Sequence, residues 1–184
     1  MSDDPVSRIL SAIDRLRTDV LDRLDRVEAQ LASGTSPTQE PADDPEPIPV
    51  EIVAHIQDVG DVDGILGDWI GDRGSGRWIE GISVAPQQDD IGPEDFVYRV
   101  VLGRDQLSPW VRAGTYCGSV SLSLPLRGFC VALSDDAATK FECHYSATFV
   151  DGSQSALLSA GQVCATSTLA PLEAFQITLR ARVP

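Results

Sequence analysis

Basic residues and long apolar runs are scarce in this chain of 184 residues. It has 14 Lys and Arg against 28 Asp and Glu, a net charge of −14, and Lys140 is the only lysine. A strongly acidic chain repels the phosphates of nucleic acids and of anionic membranes, so we expect neither as a partner. No apolar run approaches the ~20 residues that cross a bilayer, so we expect no membrane insertion.

The first residues also lack the basic and apolar regions of a secretory signal, since Met1 to Pro5 are polar and acidic. We therefore expect a cytoplasmic protein, or one that reaches a particle or a cell surface by a route without a signal peptide. The sequence leaves these locations open.

Motifs for metal binding and catalysis are missing as well. No CxxC pair occurs, and the neighbouring Cys143 and His144 point to opposite faces of a predicted strand, so the pattern does not fit a zinc site, and we expect no metal and no cofactor. Asp58, Asp61 and Asp63 are close enough in sequence for a calcium loop, although solvated turn residues are the simpler interpretation. The four cysteines are either bridged or buried as thiols: Cys117, Cys130, Cys143 and Cys164.

The two histidines, His55 and His144, fall on different predicted strands. A Ser-His-Asp site is recognised by geometry that a sequence does not reveal, and no catalytic signature is present. We expect a non-enzymatic protein.

What the chain does have is a motif that occurs three times, at 79–84, 126–133 and 172–179. Its small residues, Gly81, Gly128 and Ala174, are 47 and 46 positions apart. The same interval of 47 separates Gly114 from Gly161, Cys117 from Cys164 and Tyr98 from Tyr145. A fixed interval of this length indicates one supersecondary unit stacked on copies of itself.

Each unit opens on an apolar strand, at 52–56, 96–102 and 141–149, passes through a Gly-rich loop and ends on the motif strand. Such units cannot bury their apolar faces alone. We therefore predict a mainly β, pseudo-threefold domain that is β-prism-like, with a trefoil as the alternative. The predicted axis-facing residues are Ile82, Val84, Phe129, Val131, Leu133, Phe175, Ile177 and Leu179.

Residues 5–32 predict a coiled-coil helix, because apolar residues alternate at intervals of 4 and 3. β-Branched residues at d and leucines at a favour a homotrimer or homotetramer over a dimer. A helix that packs on its own β domain remains the alternative. The oligomerisation positions are Val6, Leu10, Ile13, Arg17, Val20, Leu24, Val27 and Leu31.

Five prolines and four acidic residues follow between 33 and 50, a composition typical of an extended spacer. We therefore divide the chain into an oligomerisation helix (1–32), a Pro-rich acidic linker (33–50) and a three-repeat β domain (51–184).

The first repeat resembles the clostridial hydrophobic repeats with a tryptophan signature, the ChW repeats. They share an H-x-Q-x-x-G segment, a Trp, a Gly-rich turn and an apolar-Glu-small-apolar strand, here at 55–60, Trp69, 74–76 and 79–84. The chain has Asp61 where that family usually has a second Trp. The later repeats are similar to a proteobacterial "hydrophobic W" module, at Trp110, Gly114, 117–118, 124–126, 151–152, Cys164 and 170–174. Both resemblances imply surface or extracellular assemblies, with adhesion or carbohydrate binding.

Aromatic residues in or beside the Gly-rich loops are the binding candidates, since a sugar site needs an apolar ring face and placed polar groups. Trp69 and Trp110 have the alternative of anchoring equivalent core positions in their repeats, whereas Trp78 and Tyr116 have no predicted counterpart. The candidate ligand-binding residues are Trp69, Trp78, Trp110, Tyr116, Asp68, Arg73, Arg77, Arg112 and Asp151.

These features predict a multivalent binding protein for a surface polysaccharide or other glycan, in which the oligomerisation helix joins several β domains, each with a weak binding site. The alternative is a structural or assembly module that docks to protein partners in a surface layer or a phage-like particle.

Overall fold

The computed structural model describes residues 50–182, and this part of the chain is mainly β. Its elements are β1 (Ile52–Ile56), β2 (Gly60–Gly64), β3 (Trp69–Ile70), β4 (Ile79–Val84), β5 (Phe96–Gly103), β6 (Gln106–Leu107), β7 (Val111–Arg112), β8 (Cys117–Gly118), β9 (Gly128–Leu133), α1 (Asp135–Lys140), β10 (Phe141–Phe149), β11 (Leu158–Ser159), β12 (Cys164–Ala165) and β13 (Leu172–Ala181).

The strands form three antiparallel sheets. The first sheet has the order β2-β1-β4-β8, the second β12-β9-β5-β6 with β7 also on β5, and the third β11-β10-β13-β3. The pairs β1–β4, β5–β9 and β10–β13 lie at the centres of the sheets. They are the predicted opening and motif strands, so these strand predictions are confirmed.

Each sheet is completed by a short strand from elsewhere in the chain. We call the place where β8 joins β4 junction 1, where β12 joins β9 junction 2, and where β3 joins β13 junction 3. The first two link successive parts of the chain. Junction 3 links the first part of the described chain to its last strand.

One backbone hydrogen bond recurs at all three junctions. The amides of Gly114, Gly161 and Gly67 donate to the carbonyls of Val84, Val131 and Ile177, at 2.8, 2.7 and 2.8 Å. Each glycine has a φ between 79° and 99°, a left-handed conformation in which a β-carbon would be strained. The interval of 47 residues between these glycines therefore reflects a turn that reaches the neighbouring sheet.

Small residues of the motif allow the short strands to approach. Gly81 pairs with Gly118 at junction 1, and Gly128 pairs with Ala165 at junction 2. A β-carbon on Gly128 would lie 2.0 Å from the Cys164 carbonyl oxygen, and one on Gly118 would lie 2.4 Å from the Glu80 carbonyl oxygen. Close backbone contact explains why the motif has a small residue at this place.

Two tyrosine hydroxyls link the sheets further. The Tyr98 hydroxyl accepts from the Val84 amide and donates to the Thr115 carbonyl. The Tyr145 hydroxyl, 47 residues later, accepts from the Val131 amide and donates to the Gln162 carbonyl. Tyr98 and Tyr145 lie on opening strands, opposite Val131 and Ile177 of the motif strands. The equivalent residue of β1, opposite Val84, is Ile52, so junction 3 has no such hydroxyl.

The inner faces of the three sheets share one core. Phe129 contacts the rings of both Tyr145 and Phe175, with centroids 5.2 and 5.3 Å apart. The predicted axis-facing residues belong to this core, although Leu133 is only partly buried. The described chain has no helix long and apolar enough to cross a membrane. Its helix α1 was not predicted, and begins at the N-cap Ser134, whose hydroxyl oxygen accepts from the Ala137 amide.

By contact density the chain divides into residues 1–47 and 48–184. The predicted coiled coil (5–32) and nearly all of the predicted linker lie outside the described residues.

Candidate functional site

The charged residue of each motif copy is buried or half-buried and binds the loop that follows the neighbouring short strand. At junction 1, Glu80 is 2% exposed, and its Oε2 accepts from the amides of Leu122 and Ser123 at 3.1 and 3.2 Å. A carboxylate in this position satisfies two backbone donors at once, which offsets the cost of burying it.

The other two junctions have related contacts. Glu173 is 4% exposed, and its two carboxylate oxygens accept from the amides of Gly74 and Gly76 at 2.9 and 2.8 Å. At junction 2 the charge is reversed, and the guanidinium of Arg127 donates to the Leu169 carbonyl at 3.0 Å. The charged position of the motif therefore holds a loop in each case.

Junction 1 also brings together a histidine, an aspartate and a serine. The Nδ1 of His55 lies 2.6 Å from Oδ1 of Asp61, and its Nε2 lies 3.2 Å from Oγ of Ser121. His55 is 9% exposed, Asp61 and Ser121 are exposed, and Ser121 has a φ of 53°. This is the arrangement of nucleophile, base and orienting carboxylate, and the sequence analysis did not identify it.

The Tyr116 ring covers the same face of the first sheet. It lies against Gly81, where an added β-carbon would be 2.1 Å from the Tyr116 hydroxyl, and that hydroxyl donates to the Ser119 carbonyl at 2.7 Å. Burial, with smaller contributions from the charges of Asp61 and Glu80, raises the pKa of Tyr116 to about 12. Tyr116 is thus a neutral hydroxyl beside the His55 cluster.

Trp110 lies before β7 and is 44% exposed, so it does not anchor the core. The Arg99 guanidinium is 4.4 Å from its ring centre and covers one face, so a ligand that stacks on this ring has to use the opposite face. Arg112, two residues further along this extended segment, forms an ion pair with Glu94 at 2.6 Å. Residues two apart on a strand point the same way, so Trp110 and Arg112 share one side.

Trp69 is half-buried at junction 3, with the Arg73 guanidinium 4.5 Å from its ring centre. Its counterpart 47 residues later is Tyr116, since the next residues, Ile70 and Cys117, pair with equivalent positions of two motif strands, Phe175 and Ile82. The expected equivalence of Trp69 with Trp110, and the expected absence of a counterpart for Tyr116, are therefore wrong. The two tryptophans are 41 positions apart, whereas the residues of the paired short strands keep the interval of 47.

The remaining candidates lie in separate places. Asp68 and Arg77 are exposed, and Arg77 belongs to the loop that Glu173 binds. Trp78 is half-buried, and its Nε1 is buried without a hydrogen-bond partner. Asp151 closes a turn by accepting from Ser153, which lowers the pKa of its carboxyl. The structure thus divides the predicted ligand-binding set between junction 1, where Tyr116 lies, junction 3, the β7 region and a turn of the third sheet.

The cysteines are all buried free thiols, which agrees with one of the two interpretations left open. Burial raises the pKa of Cys143 to about 12 and that of Cys164 to about 11. Within residues 50–182 no three His, Cys, Asp or Glu side chains are grouped closely enough to hold a metal ion. Asp61, a candidate for a calcium loop, is bonded to His55 instead.

A pocket of about 380 Å³ lies between α1, β10 and β11 and contains none of the predicted ligand-binding residues. It is lined in part by Phe141, Cys143 and His144, and the Arg182 guanidinium at its edge forms an ion pair with Glu142 at 3.2 Å.

Comparison with known proteins gives no relative: no protein-family model, no curated protein and no solved structure matches this chain.

Proposed function

We propose that this chain is a multivalent, non-enzymatic binding protein whose β domain recognises a surface polysaccharide or other glycan. The single observation that carries the proposal is Trp110, an exposed ring that is fixed on one face by Arg99. The open ring face is suited to stack on the C–H face of a sugar. The ion pair of Arg112 and Glu94 on the same side offers both donors and acceptors for sugar hydroxyls.

For the β domain we propose a pseudo-threefold, β-prism-like arrangement of three repeats. Supporting it are the three cyclic junctions and the glycine bonds that recur at intervals of 47 residues. Two further backbone bonds connect the starts of the motif strands in series, from Leu126 to Ile79 and from Leu172 to Leu126, each 2.8 Å. A trefoil has no comparable support in these pairings. The resemblance to ChW and "hydrophobic W" modules is consistent with this proposal and stays a prediction.

Multivalency would come from residues 5–32 as a trimeric or tetrameric coiled coil. Weak sugar sites joined on one frame gain apparent affinity without new contacts, provided that they reach their ligands together. Light scattering on the full chain and on residues 48–184 tests this step. A trimer or tetramer that becomes a monomer on truncation is expected, and a monomeric full chain would contradict it.

The sugar site is tested by binding of the full chain to an array of bacterial polysaccharides and oligosaccharides. We expect Trp110→Ala to weaken binding at least 10-fold and to abolish the change in tryptophan fluorescence. Leu157→Ala is the matched control, because Leu157 is also a strongly exposed apolar residue but belongs to the third sheet region. Equal binding by Trp110→Ala and the parent would rule out this site.

A second candidate function, protein docking in an assembly, is favoured by the distribution of exposed apolar residues. Among the described residues, seven of the eleven large exposed apolar side chains lie between 102 and 124: Leu102, Leu107, Trp110, Tyr116, Val120, Leu122 and Leu124. Such concentration along the chain is typical of interaction surfaces. The polysaccharide array separates the two functions, since a docking module gives no sugar-dependent fluorescence change.

A further inference from the structure

The hydrogen bonds at junction 1 fix the tautomer of His55. The backbone amide of Ser121 can only donate, and it lies 3.2 Å from Nε2, so Nε2 carries a lone pair. The proton of neutral His55 is therefore on Nδ1, from which it is donated to Asp61 at 2.6 Å. Nε2 is then an acceptor that the amide and the hydroxyl of Ser121 share, both at 3.2 Å, in the tautomer that a general base requires.

These three residues are specific to junction 1. The residues that face the motif's small position, as His55 faces Gly81, are Val101 at junction 2 and Thr148 at junction 3. At intervals of 47 from Asp61 stand Ser108 and Ser155, whose hydroxyls accept from the backbone amides of β5 and β10.

The counterparts of Ser121 at the same interval are Gly74 and Thr168, and neither contacts a histidine. The loops at the other junctions are held without an imidazole. Holding the loop therefore does not by itself explain why junction 1 combines a histidine, an aspartate and a serine.

We propose that Ser121 is a nucleophilic serine that takes up one acyl group from a carboxylic ester, with His55 as its base, which is a covalent modification without catalytic turnover and independent of the proposed sugar site. The Ser121 oxygen adds to the ester carbonyl carbon while Nε2 takes the hydroxyl proton. The ester C–O bond then breaks, the alcohol leaves with that proton, and the acyl group stays on Ser121. Asp61 is a positioning residue that holds the imidazole and stabilises its cationic form.

The exposure of Ser121 supports its acylation, whereas the hydrogen bonds around it limit the rate of the reaction. Ser121 is exposed on a loop, and its own φ of 53° lies in the left-handed region. The two following amides, of Leu122 and Ser123, are already bonded to Glu80 and are not free to bind an oxyanion. The Ser121 amide also shares the Nε2 lone pair. We therefore expect a single acylation with slow release of the acyl group, because oxyanion donors provide much of the rate in fast hydrolases.

The experiment incubates the full chain with 4-nitrophenyl acetate, and separately with a fluorophosphonate probe, and locates the label by peptide mass spectrometry. We expect one acyl group per chain, on Ser121. Ser121→Ala should abolish the label. Ser123→Ala is the matched control, since Ser123 is exposed with a φ of 55° but has no contact with His55. It should label like the parent. No label, or a label that persists in Ser121→Ala, overturns the proposal.

The acylation rate and the ¹⁵N NMR spectrum distinguish the role of His55 from that of Asp61. Loss of a general base costs about 10²–10⁴-fold, so His55→Gln should reduce the acylation rate by at least 100-fold. Because this variant also removes the imidazole that holds the Ser121 amide, Asp61→Asn provides a second measurement at an exposed residue. It should slow acylation about 10-fold, leave the melting temperature unchanged and alter the ¹⁵N shifts of His55 by changing its tautomer. An unchanged acylation rate in Asp61→Asn would remove Asp61 from the site.

Discussion

Junctions 1 and 2 differ from junction 3 in how their sheets are joined. All three have the glycine amide bonded to a motif-strand carbonyl. Junctions 1 and 2 add a buried tyrosine hydroxyl that links a motif strand to the incoming loop, whereas junction 3 has Ile52 at the corresponding place. At junction 3, Glu173 binds two amides, as Glu80 does at junction 1 but with both of its oxygens, and the Gln176 side chain also donates to the Gly67 carbonyl at 2.6 Å.

The difference is connected with distance along the chain. The side-chain bonds of junction 3 join residues 97 to 109 positions apart, whereas the tyrosines link residues 14 to 17 positions apart. Bringing distant segments together costs more loop-closure entropy, although this cost increases only slowly with length. Charge-assisted bonds to Glu173 are stronger than neutral ones and suit a contact between the first part of the described chain and its last strand.

The largest effect is expected at the backbone contact of junction 2. Gly128→Ala places a β-carbon 2.0 Å from the Cys164 carbonyl oxygen, on a backbone with a φ of 152°. The backbone strain at residue 128 and the displacement of β12 should together lower the free energy of unfolding by about 3 kcal/mol. Chemical denaturation measures the change.

Gly81→Ala is the matched variant at junction 1. Its β-carbon would meet the Tyr116 ring and no backbone atom within the same distance, and Tyr116 is a side chain that is 38% exposed, whereas Gly128 faces the backbone of β12. We expect this variant to lose less stability than Gly128→Ala. A larger loss at Gly81 would show that the aromatic ring, and not the backbone approach, sets the requirement for a small residue.

The next effect tests the closing junction. Glu173→Gln keeps the shape of the side chain but removes the charge, and turns one acceptor into a donor that faces a glycine amide. A buried bond to a charged group contributes about 1.5–3 kcal/mol, so we expect a loss of about 2 kcal/mol. Hydrogen exchange should increase in residues 71–78, the loop that Glu173 holds.

Glu142→Gln is the control for that substitution, since Glu142 is exposed and its ion pair with Arg182 is at the surface. Surface ion pairs are worth roughly 0–1 kcal/mol, and we expect no change in exchange at 71–78. Equal destabilisation by both variants would contradict the special role of Glu173.

The opening and motif strands could be predicted from the sequence because apolar alternation and the interval of 47 are local or repeated signals. The opening and motif strands agree with the prediction to within a few residues. Helix α1 was missed, since six residues are too few for helical periodicity, although Ser134 followed by Asp135 and Asp136 is an N-terminal signal. Which short strand joins which sheet was not predictable, because two-residue strands have no alternation.

The candidate site was harder to predict than the strands. His55 and Ser121 are 66 residues apart, and only the exchange of β8 onto the first sheet brings them into contact. A usable signal did exist for the loop contacts. Glu80, Arg127 and Glu173 are charged residues within apolar strands, and a charge at a fixed place in a buried motif indicates a partner for it.

The smallest effect concerns the tyrosines that junction 3 lacks. Tyr98→Phe removes one hydroxyl and leaves the Val84 amide and the Thr115 carbonyl without this partner, so we expect a loss of about 1 kcal/mol. Tyr145→Phe should cost less, because the Val131 amide is 3.4 Å from the Tyr145 hydroxyl, against 3.1 Å at Tyr98. Tyr116→Phe is the control, since its hydroxyl is exposed and bonds within its own loop. If neither Tyr98→Phe nor Tyr145→Phe lowers the midpoint of denaturation relative to Tyr116→Phe, the hydroxyls add nothing to the glycine bonds. The absence of a tyrosine would then make no difference to the stability of junction 3, and the bonds of Glu173 would stabilise only the loop at 71–78.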